Sequence, residues 1–535
     1  MTDSAKTPPR QERTQQFAFL VAAGIFLSRI AGLIRDRVFA HYFGNSDAAD
    51  AFRAAFRIPN FLQNMFGEGV LSASFIPVYA ALLAREEKEE ADRTAGAVAA
   101  LLAISVSLIV LVGVLLTPFL IELIAPGFSG AKRELTIRLV RILFPGAGLL
   151  VLSAWCLGIL NSHRKFFLSY TAPVIWNVAI IASLIAFGAK MAQFPLAIVV
   201  AWGSVIGSGL QVAVQLPTVL KLLGRLRLVL EYHSENIRTV VRNFFPVFIS
   251  RGVVQISAYV DALLASLLPT GAVAALAYAQ TLYTLPVSLF GMSVSAAELP
   301  VMSGAVGLAT EVAEALRKRL DAGLRQIAYF IVPSVAGFLV LGDVIVGAIY
   351  QSGRFQRADT LYVWGILAGA TVGLLASTLS RLYASTYYAL RDTRTPLKFS
   401  VVRIILTTIL GYLSAVPLPP ALGLNPRWGV AGLTISAGIS AWVEFTLLRR
   451  ALNRRIGATG LAPSFLAKIW SIALVFAALG WGIKLAVGIR HPLLTAVAVL
   501  VPYGLGYIAT TSAIGLSEAQ ALWRMLLRAG RTARP

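Results

Sequence analysis

Six arginines fall inside stretches of the chain that are otherwise apolar: Arg29, Arg35, Arg37, Arg251, Arg381 and Arg403. A charged side chain at the centre of a bilayer costs about 2.5–3.5 kcal/mol on insertion scales, so each needs a partner, a wet cavity or an escape to the interface. The guanidinium fork donates in pairs to phosphate or pyrophosphate oxygens, so two or three forks beside one aqueous cavity suit an anionic ligand. The densest set is in the first apolar stretch. Arg29 and Asp36, seven residues apart, share one helical face, and Arg35 lies about 120° from Arg29. Arg29 is deepest; for Arg35 and Arg37 the competing reading is snorkelling to the interface.

Arg251 holds the corresponding place later in the chain, followed by Gln255 and Asp261, and a structural Arg251–Asp261 pair is its competing reading. Arg381 and Arg403 lie nearer span ends, where snorkelling is the ordinary outcome. Arg381, Asp261 and Glu298 are candidates for gating or counter-ion roles, and Glu444 reads as a further counter-ion. Glu68 stands between Gly67 and Gly69 inside a span, a pattern that predicts local unwinding or close helix approach.

The elements that hold these residues follow from composition. Of 535 residues 57% are hydrophobic and only 13% charged, with mean hydropathy +0.75. Soluble domains carry about 25% charged residues, so this is a polytopic membrane protein. A hydrocarbon core of about 30 Å needs roughly 20 apolar residues per helix. Runs of that kind predict fourteen spans, at approximately 16–43, 61–84, 95–124, 136–160, 170–189, 194–222, 240–268, 272–302, 323–350, 361–389, 398–418, 428–449, 465–487 and 492–515.

The net charge of +22, from 47 Lys+Arg against 25 Asp+Glu, would suggest a nucleic acid partner in a soluble chain. Here it sorts by topology instead. With the N-terminus in the cytoplasm, about 29 basic residues fall on the inner side and about 12 on the outer. That excess places both termini inside and needs no nucleic acid.

An internal repeat organises the spans. Ser28-Arg29 recurs as Ser250-Arg251 at an offset of 222, Pro77-Val78 as Pro300-Val301 at 223, and Pro173 as Pro396 at 223. The shift carries spans 1–6 onto 7–12; six is even, so the copies are parallel. The expected fold class is therefore an all-α polytopic membrane protein. Two six-helix lobes are related by a parallel pseudo-twofold repeat, with two helices appended. The expected divisions are a cytoplasmic tail at 1–15, an N-lobe at 16–223, a C-lobe at 238–451, spans 13 and 14 at 464–515 and a basic cytoplasmic tail at 516–535.

Catalytic signatures are missing. There is no phosphate-loop, H-E-x-x-H, C-x-x-C or G-x-S-x-G pattern. The four histidines have no ligand spacing and Cys156 is the sole cysteine. No enzyme, metal or cofactor is expected. Uphill movement of a substrate would draw on membrane potential or an ion gradient.

Three strings then carry a resemblance. SRIAGLIRDRVFAHYFGNSDAADAFRAAFRIPNFLQNMFGEGVLSASFIPVYA, IYQSGRFQRADT and YYALRDTRTPLKFSVV resemble the MurJ/MviN lipid II flippases of the MOP exporter superfamily, in register from about 17 to 400. The resemblance implies alternating access of two lobes. It also implies movement of undecaprenyl-pyrophosphate-linked peptidoglycan precursor from inner to outer leaflet, for cell-wall synthesis. In that family a central cationic cavity takes the head group and a groove at spans 13 and 14 takes the lipid tail. Carried over, the substrate-binding residues are Arg29, Arg35, Asp36, Asp50 and Glu68, with Arg251 added as a replacement for a missing family charge. Implied too are a bacterial inner-membrane location, a lipid-linked anionic glycan and the bilayer as partners, cell-wall synthesis enzymes nearby, and a monomer. Two places depart from the family pattern. Gln63 and Asn64 stand where a basic residue is common, and Tyr278-Ala279-Gln280-Thr281-Leu282 stands for Tyr-Ala-Asp-Arg-Leu. They leave open a paralogue exporting another polyprenyl-linked glycan or drugs.

Overall fold

Apolar runs without a break favour helices that satisfy every backbone group internally, the one solution besides a closed barrel that lipid permits. The structure, a computed structural model, describes residues 10–224, 227–228, 234–304, 309–488, 491–520 and 522; for 10–22, 58, 59, 68, 249–258, 309 and 487 only the backbone is described. Among the described residues the chain is helical throughout and forms no strand.

The first half comprises α1 (Arg10–Phe43), α2 (Asp47–Phe66), α3 (Glu68–Ser74), α4 (Ile76–Ala84), α5 (Lys88–Leu115), α6 (Thr117–Ile124), α7 (Gly130–Ser162), α8 (Phe166–Phe187), α9 (Gln193–Leu222) and α10 (Glu235–Ser266). The second comprises α11 (Ala272–Pro286), α12 (Ser293–Ser303), α13 (Ala309–Val340), α14 (Gly342–Tyr350), α15 (Arg357–Ala389), α16 (Arg394–Ala415), α17 (Leu418–Ala421), α18 (Gly429–Ile456), α19 (Pro463–Val487) and α20 (Pro492–Ala513).

By length and composition, twelve helical segments among the described residues can cross a membrane. The other two expected spans coincide with α1 and α10. Both are long enough, at 34 and 32 residues. Both also carry charge along their length, Arg29, Arg35, Asp36 and Arg37 on α1 and Arg238, Arg242, Arg251 and Asp261 on α10. Several boundaries differ from expectation. The stretch between the first two expected spans is helix α2, capped by the Ser46 hydroxyl accepting from the Ala49 N–H at 3.2 Å. Gly67 then separates α2 from α3: a Cβ there would stand 2.1 Å from the Gln63 carbonyl oxygen, so no other residue fits this break. The unwinding expected around Glu68 is thus present in the backbone, while the Glu68 side chain lies outside the described residues.

Two compact units divide the chain, residues 1–266 and 267–535. In the first, α7 packs on α2 and α9, and α8 on α9. In the second, α15 packs on α11, α12 and α18, and α16 on α18. This is the same pairing shifted by six spans. One pairing departs from the pattern: α1 lies along α8, whereas α10, its counterpart, packs on α2, α3 and α5. The division therefore falls after α10, at 266/267, and α10 keeps company with the first unit.

Small residues let the helices approach, as lipid-embedded packing requires. A Cβ on Gly373 of α15 would lie 2.4 Å from Gly438 Cα of α18, and one on Gly207 of α9 would lie 2.9 Å from Ala179 Cβ of α8. Buried polar groups add interhelical bonds: Gln211 Nε2 donates to Ser153 Oγ at 2.8 Å, and Ser153 Oγ donates to Gln215 Oε1 at 2.7 Å, joining α7 to α9.

Candidate functional site: a cationic cluster in the first unit

α1 brings Arg35 and Asp36 against α2, and α2 answers with Arg53 and Arg57. Asp36 Oδ1 accepts from Arg35 Nε at 3.2 Å and Nη2 at 3.0 Å, and from both terminal nitrogens of Arg53 at 3.3 Å. The Asp36 side chain is only 5% exposed, and those of Arg35 and Arg53 18% and 14%. Two cations on one anion leave a local excess of positive charge.

Aromatic faces hold the guanidiniums in place. Arg35 lies 5.3 Å from the Trp176 ring and 6.0 Å from that of Phe56, and these two rings stack at 5.6 Å. Arg53 lies 4.7 Å from the Phe39 ring. Cation–π contacts of this kind contribute about 0.5–2 kcal/mol each and fix the plane of the fork.

One turn beyond Arg53, Arg57 is in electrostatic contact with Asp261 and Tyr259 of α10. The Tyr259 hydroxyl also donates to the Arg57 carbonyl oxygen at 2.5 Å, and Phe61 meets the Tyr259 ring edge-on at 5.5 Å. Three arginines and two aspartates so converge within one unit, with net positive charge and aromatic walls. Such a surface can bind a phosphate-bearing group while the aspartates keep the empty site stable.

Of the expected site residues, Arg35, Asp36 and Asp261 come together here. Asp36 pairs with its neighbour Arg35 and with Arg53, while Arg29 is exposed on α1 among exposed Ile25, Phe26 and Ile30. Asp50 is elsewhere: it is buried and accepts from Lys132 Nζ at 2.6 Å, which also reaches Asp47 at 3.1 Å, and so ties α2 to the start of α7. The side chain of Arg251 lies outside the described residues. In the second unit Arg381 is exposed on α15, and Glu298 of α12 has one buried carboxylate oxygen, Oε2, without a hydrogen-bond partner among the described residues. Arg403 Nη1 donates to Glu444 at 2.9 Å, with Ser400 on the other oxygen at 2.8 Å, so that arginine is matched by its counter-ion.

Arg53 and Arg57 were missed because residues 44–60 read as an outer loop whose two basic residues only report topology. The signal was present: in AFRAAFR the arginines are four apart with alanine and phenylalanine between them, which puts both on one face of a helix.

A separate apolar cavity of about 360 Å³ lies in the second unit, lined by Leu289, Phe290, Tyr329, Phe330, Tyr503 and Tyr507 among others. It follows a π-helical turn, Val287–Met292, placed directly after Pro286. Hydroxyls pin its walls: Tyr507 donates to the Tyr329 carbonyl at 2.8 Å and Tyr503 to the Pro333 carbonyl at 2.5 Å. Among the described residues no group of three or more His, Cys, Asp or Glu could hold a metal ion.

Residues 39–510 match the family model described as lipid II flippase MurJ. The lipid II flippase MurJ of Burkholderia cenocepacia is 30% identical over 474 residues, covering 86% of this chain and 89% of that protein. A probable lipid II flippase MurJ of Bdellovibrio bacteriovorus is 31% identical over 454 residues, 83% of each chain. Among solved structures, an inward closed conformation of lipid II flippase MurJ superposes with TM-score 0.73 at 24% identity, over 93% of this chain and 99% of that one. An inward-facing MATE family multidrug transporter of the MOP superfamily gives 0.63 at 16% identity, over 82% and 98%.

Proposed function

The chain belongs to the lipid II flippase MurJ family, and on that premise we propose that it carries lipid II from the inner to the outer leaflet of the bacterial inner membrane. The observation that carries the reading is the Arg35–Asp36–Arg53 cluster, extended by Arg57. It offers preformed paired donors of the kind a pyrophosphate needs, held by aromatic faces and one buried carboxylate. Asp36 orients the forks, and Arg35 and Arg53 keep further donors for the substrate. Arg29, exposed about two turns earlier on α1, meets the head group first. The tyrosine-walled cavity on α20 supports a tail site in the region of spans 13 and 14.

Alternating access follows from the repeated helix pairing, with fourteen spans once α1 and α10 are counted and with both termini in the cytoplasm. The protein acts as a monomeric transporter rather than an enzyme, takes no cofactor, and draws on membrane potential or an ion gradient. The enzymes that consume lipid II at the outer leaflet are its functional neighbours. Arg381, Asp261 and Glu298 serve as counter-ions or gates between states.

Depletion of the protein in cells, with lipid II assayed separately in each leaflet, tests the reading: outer-leaflet lipid II falls while inner-leaflet lipid II accumulates. Unchanged outer-leaflet lipid II favours the second reading, a paralogue exporting another polyprenyl-linked glycan. That reading draws on position 281, where a threonine whose hydroxyl donates to the Ala277 carbonyl at 3.1 Å stands in place of the family's arginine.

A further inference from the structure

A second cavity, in the first unit and apart from the arginine cluster, is larger than any ordinary packing defect. It lies between α5 and α10, has a volume of about 700 Å³, and falls within the range of about 300–1,000 Å³ typical of small-molecule sites. Its walls are almost wholly apolar. The floor is an aromatic triad: the Phe66 ring lies 5.6 Å from Phe244 and 5.2 Å from Phe248, and the last two stack at 5.6 Å. Val241 and Phe245 are 40% and 58% exposed, so the cavity opens on the surface of the unit.

The charged residues lining it are Arg238 and Arg242, both exposed, and no Asp or Glu is among the lining residues. Four residues apart, they present two guanidiniums on one face of α10. They stand near the N-terminal end of that helix, the end that the basic-residue count assigns to the cytoplasm. We propose that this cavity is a binding site for one anionic glycerophospholipid of the inner leaflet, an acyl chain lying on the Phe66–Phe244–Phe248 floor and the phosphodiester between Arg238 and Arg242. An apolar slot continuous with a paired cationic rim matches that amphiphile and no water-soluble anion. The occupant is a resident lipid that braces α10 against α5, so the proposal is independent of what the protein transports.

The test uses the full chain in nanodiscs of equal phosphatidylglycerol and phosphatidylcholine, with the lipids retained after extraction quantified by mass spectrometry. Wild-type protein retains phosphatidylglycerol preferentially, and added salt erodes the preference. Arg238→Gln and Arg242→Gln each reduce it about fivefold, the equivalent of about 1 kcal/mol per basic residue near an anionic headgroup. Lys221→Ala, which removes an exposed charge outside the cavity, leaves it unchanged. Ser105→Trp, on the exposed cavity wall, lowers retention of both lipids. Equal retention of the two lipids by wild type overturns the proposal, as does a loss in Lys221→Ala matching that of the arginine variants. Preferential retention of phosphatidylcholine or of a polyprenyl phosphate in place of phosphatidylglycerol overturns it too.

Discussion

Arg53 of α2 donates through both terminal guanidinium nitrogens to Oδ1 of Asp36 on α1, at 3.3 Å each. The same oxygen already accepts from Arg35, so one carboxylate atom organises two forks from two helices. A shared acceptor of this kind makes the cluster a unit: loss of any member changes the geometry of the rest.

Arg53→Gln therefore reduces lipid II flipping about tenfold or more, since a hydrogen bond to a charged group contributes about 1.5–3 kcal/mol. Arg138→Gln, an exposed change on α7 outside the cluster, has little effect. A leaflet-resolved lipid II assay in a depletion strain carrying each variant decides the matter, and full activity of Arg53→Gln would remove the cluster from the mechanism.

Asp36→Asn costs more than transport. It leaves Arg35 and Arg53 facing one another without their buried anion, a loss of about 3–5 kcal/mol for a fully buried pair and less here because both arginines keep some exposure. Thermal unfolding in detergent shows a lower midpoint than wild type, and combining Asp36→Asn with Arg53→Gln recovers part of the loss.

Gly373→Leu separates α15 from α18. A Cβ at this position already meets the Gly438 backbone at 2.4 Å, and overpacking of this kind costs about 1–3 kcal/mol or more. A fall in the unfolding midpoint is expected, while Gly482→Leu, where a Cβ meets nothing within 4 Å, leaves it near the wild-type value.

Asp343 receives Lys484 Nζ at 2.6 Å and Arg357 Nη2 at 2.5 Å on one oxygen, with its side chain 1% exposed. Lys484 is 20% exposed and Arg357 50%, so Lys484→Ala destabilises the attachment of α19 to α14 more than Arg357→Ala does. Limited proteolysis of the α18–α19 and α19–α20 connections, compared between the two variants, reports the order.

Asp392, between α15 and α16 and outside the spans, is held below the usual carboxylate range. The Thr395 backbone N–H and then its hydroxyl donate to it, and Arg455 pairs with it at 2.7 Å. A lowered folded-state pKa contributes stability that is fully present above the unfolded value of about 3.9 and is lost as pH falls through the folded value. The difference in unfolding midpoint between wild type and Asp392→Asn is therefore constant from pH 5 to 8 and shrinks below about pH 4. A difference that persists unchanged at pH 3 contradicts the assignment.

The all-helical membrane class was legible in the chain because it rests on composition summed over long windows. Fifty-seven per cent hydrophobic residues exclude a soluble fold, and proline and serine–arginine pairs recurring near one offset disclose a repeat that the helix pairing then displays. Arg35 and Asp36 stood out as candidates because charge is expensive inside an apolar run. Arg53 and Arg57 were not, because their segment is less apolar and a basic residue in a polar-looking connection has a cheap explanation. For Asp50 only type and place were readable: the structure pairs it with Lys132, 82 residues away.

The amino-acid order by itself determined that the chain is a helical membrane protein, since transfer free energies accumulate residue by residue along the chain. It also announced the arginines and the glycines at 67, 373 and 438. Which carboxylate each arginine meets was decided only by tertiary structure. So were the company α10 keeps with α2, α3 and α5, and the cavity between α5 and α10. These depend on rotations and contacts between helices distant in sequence, where a turn of one residue, about 100°, exchanges one partner for another.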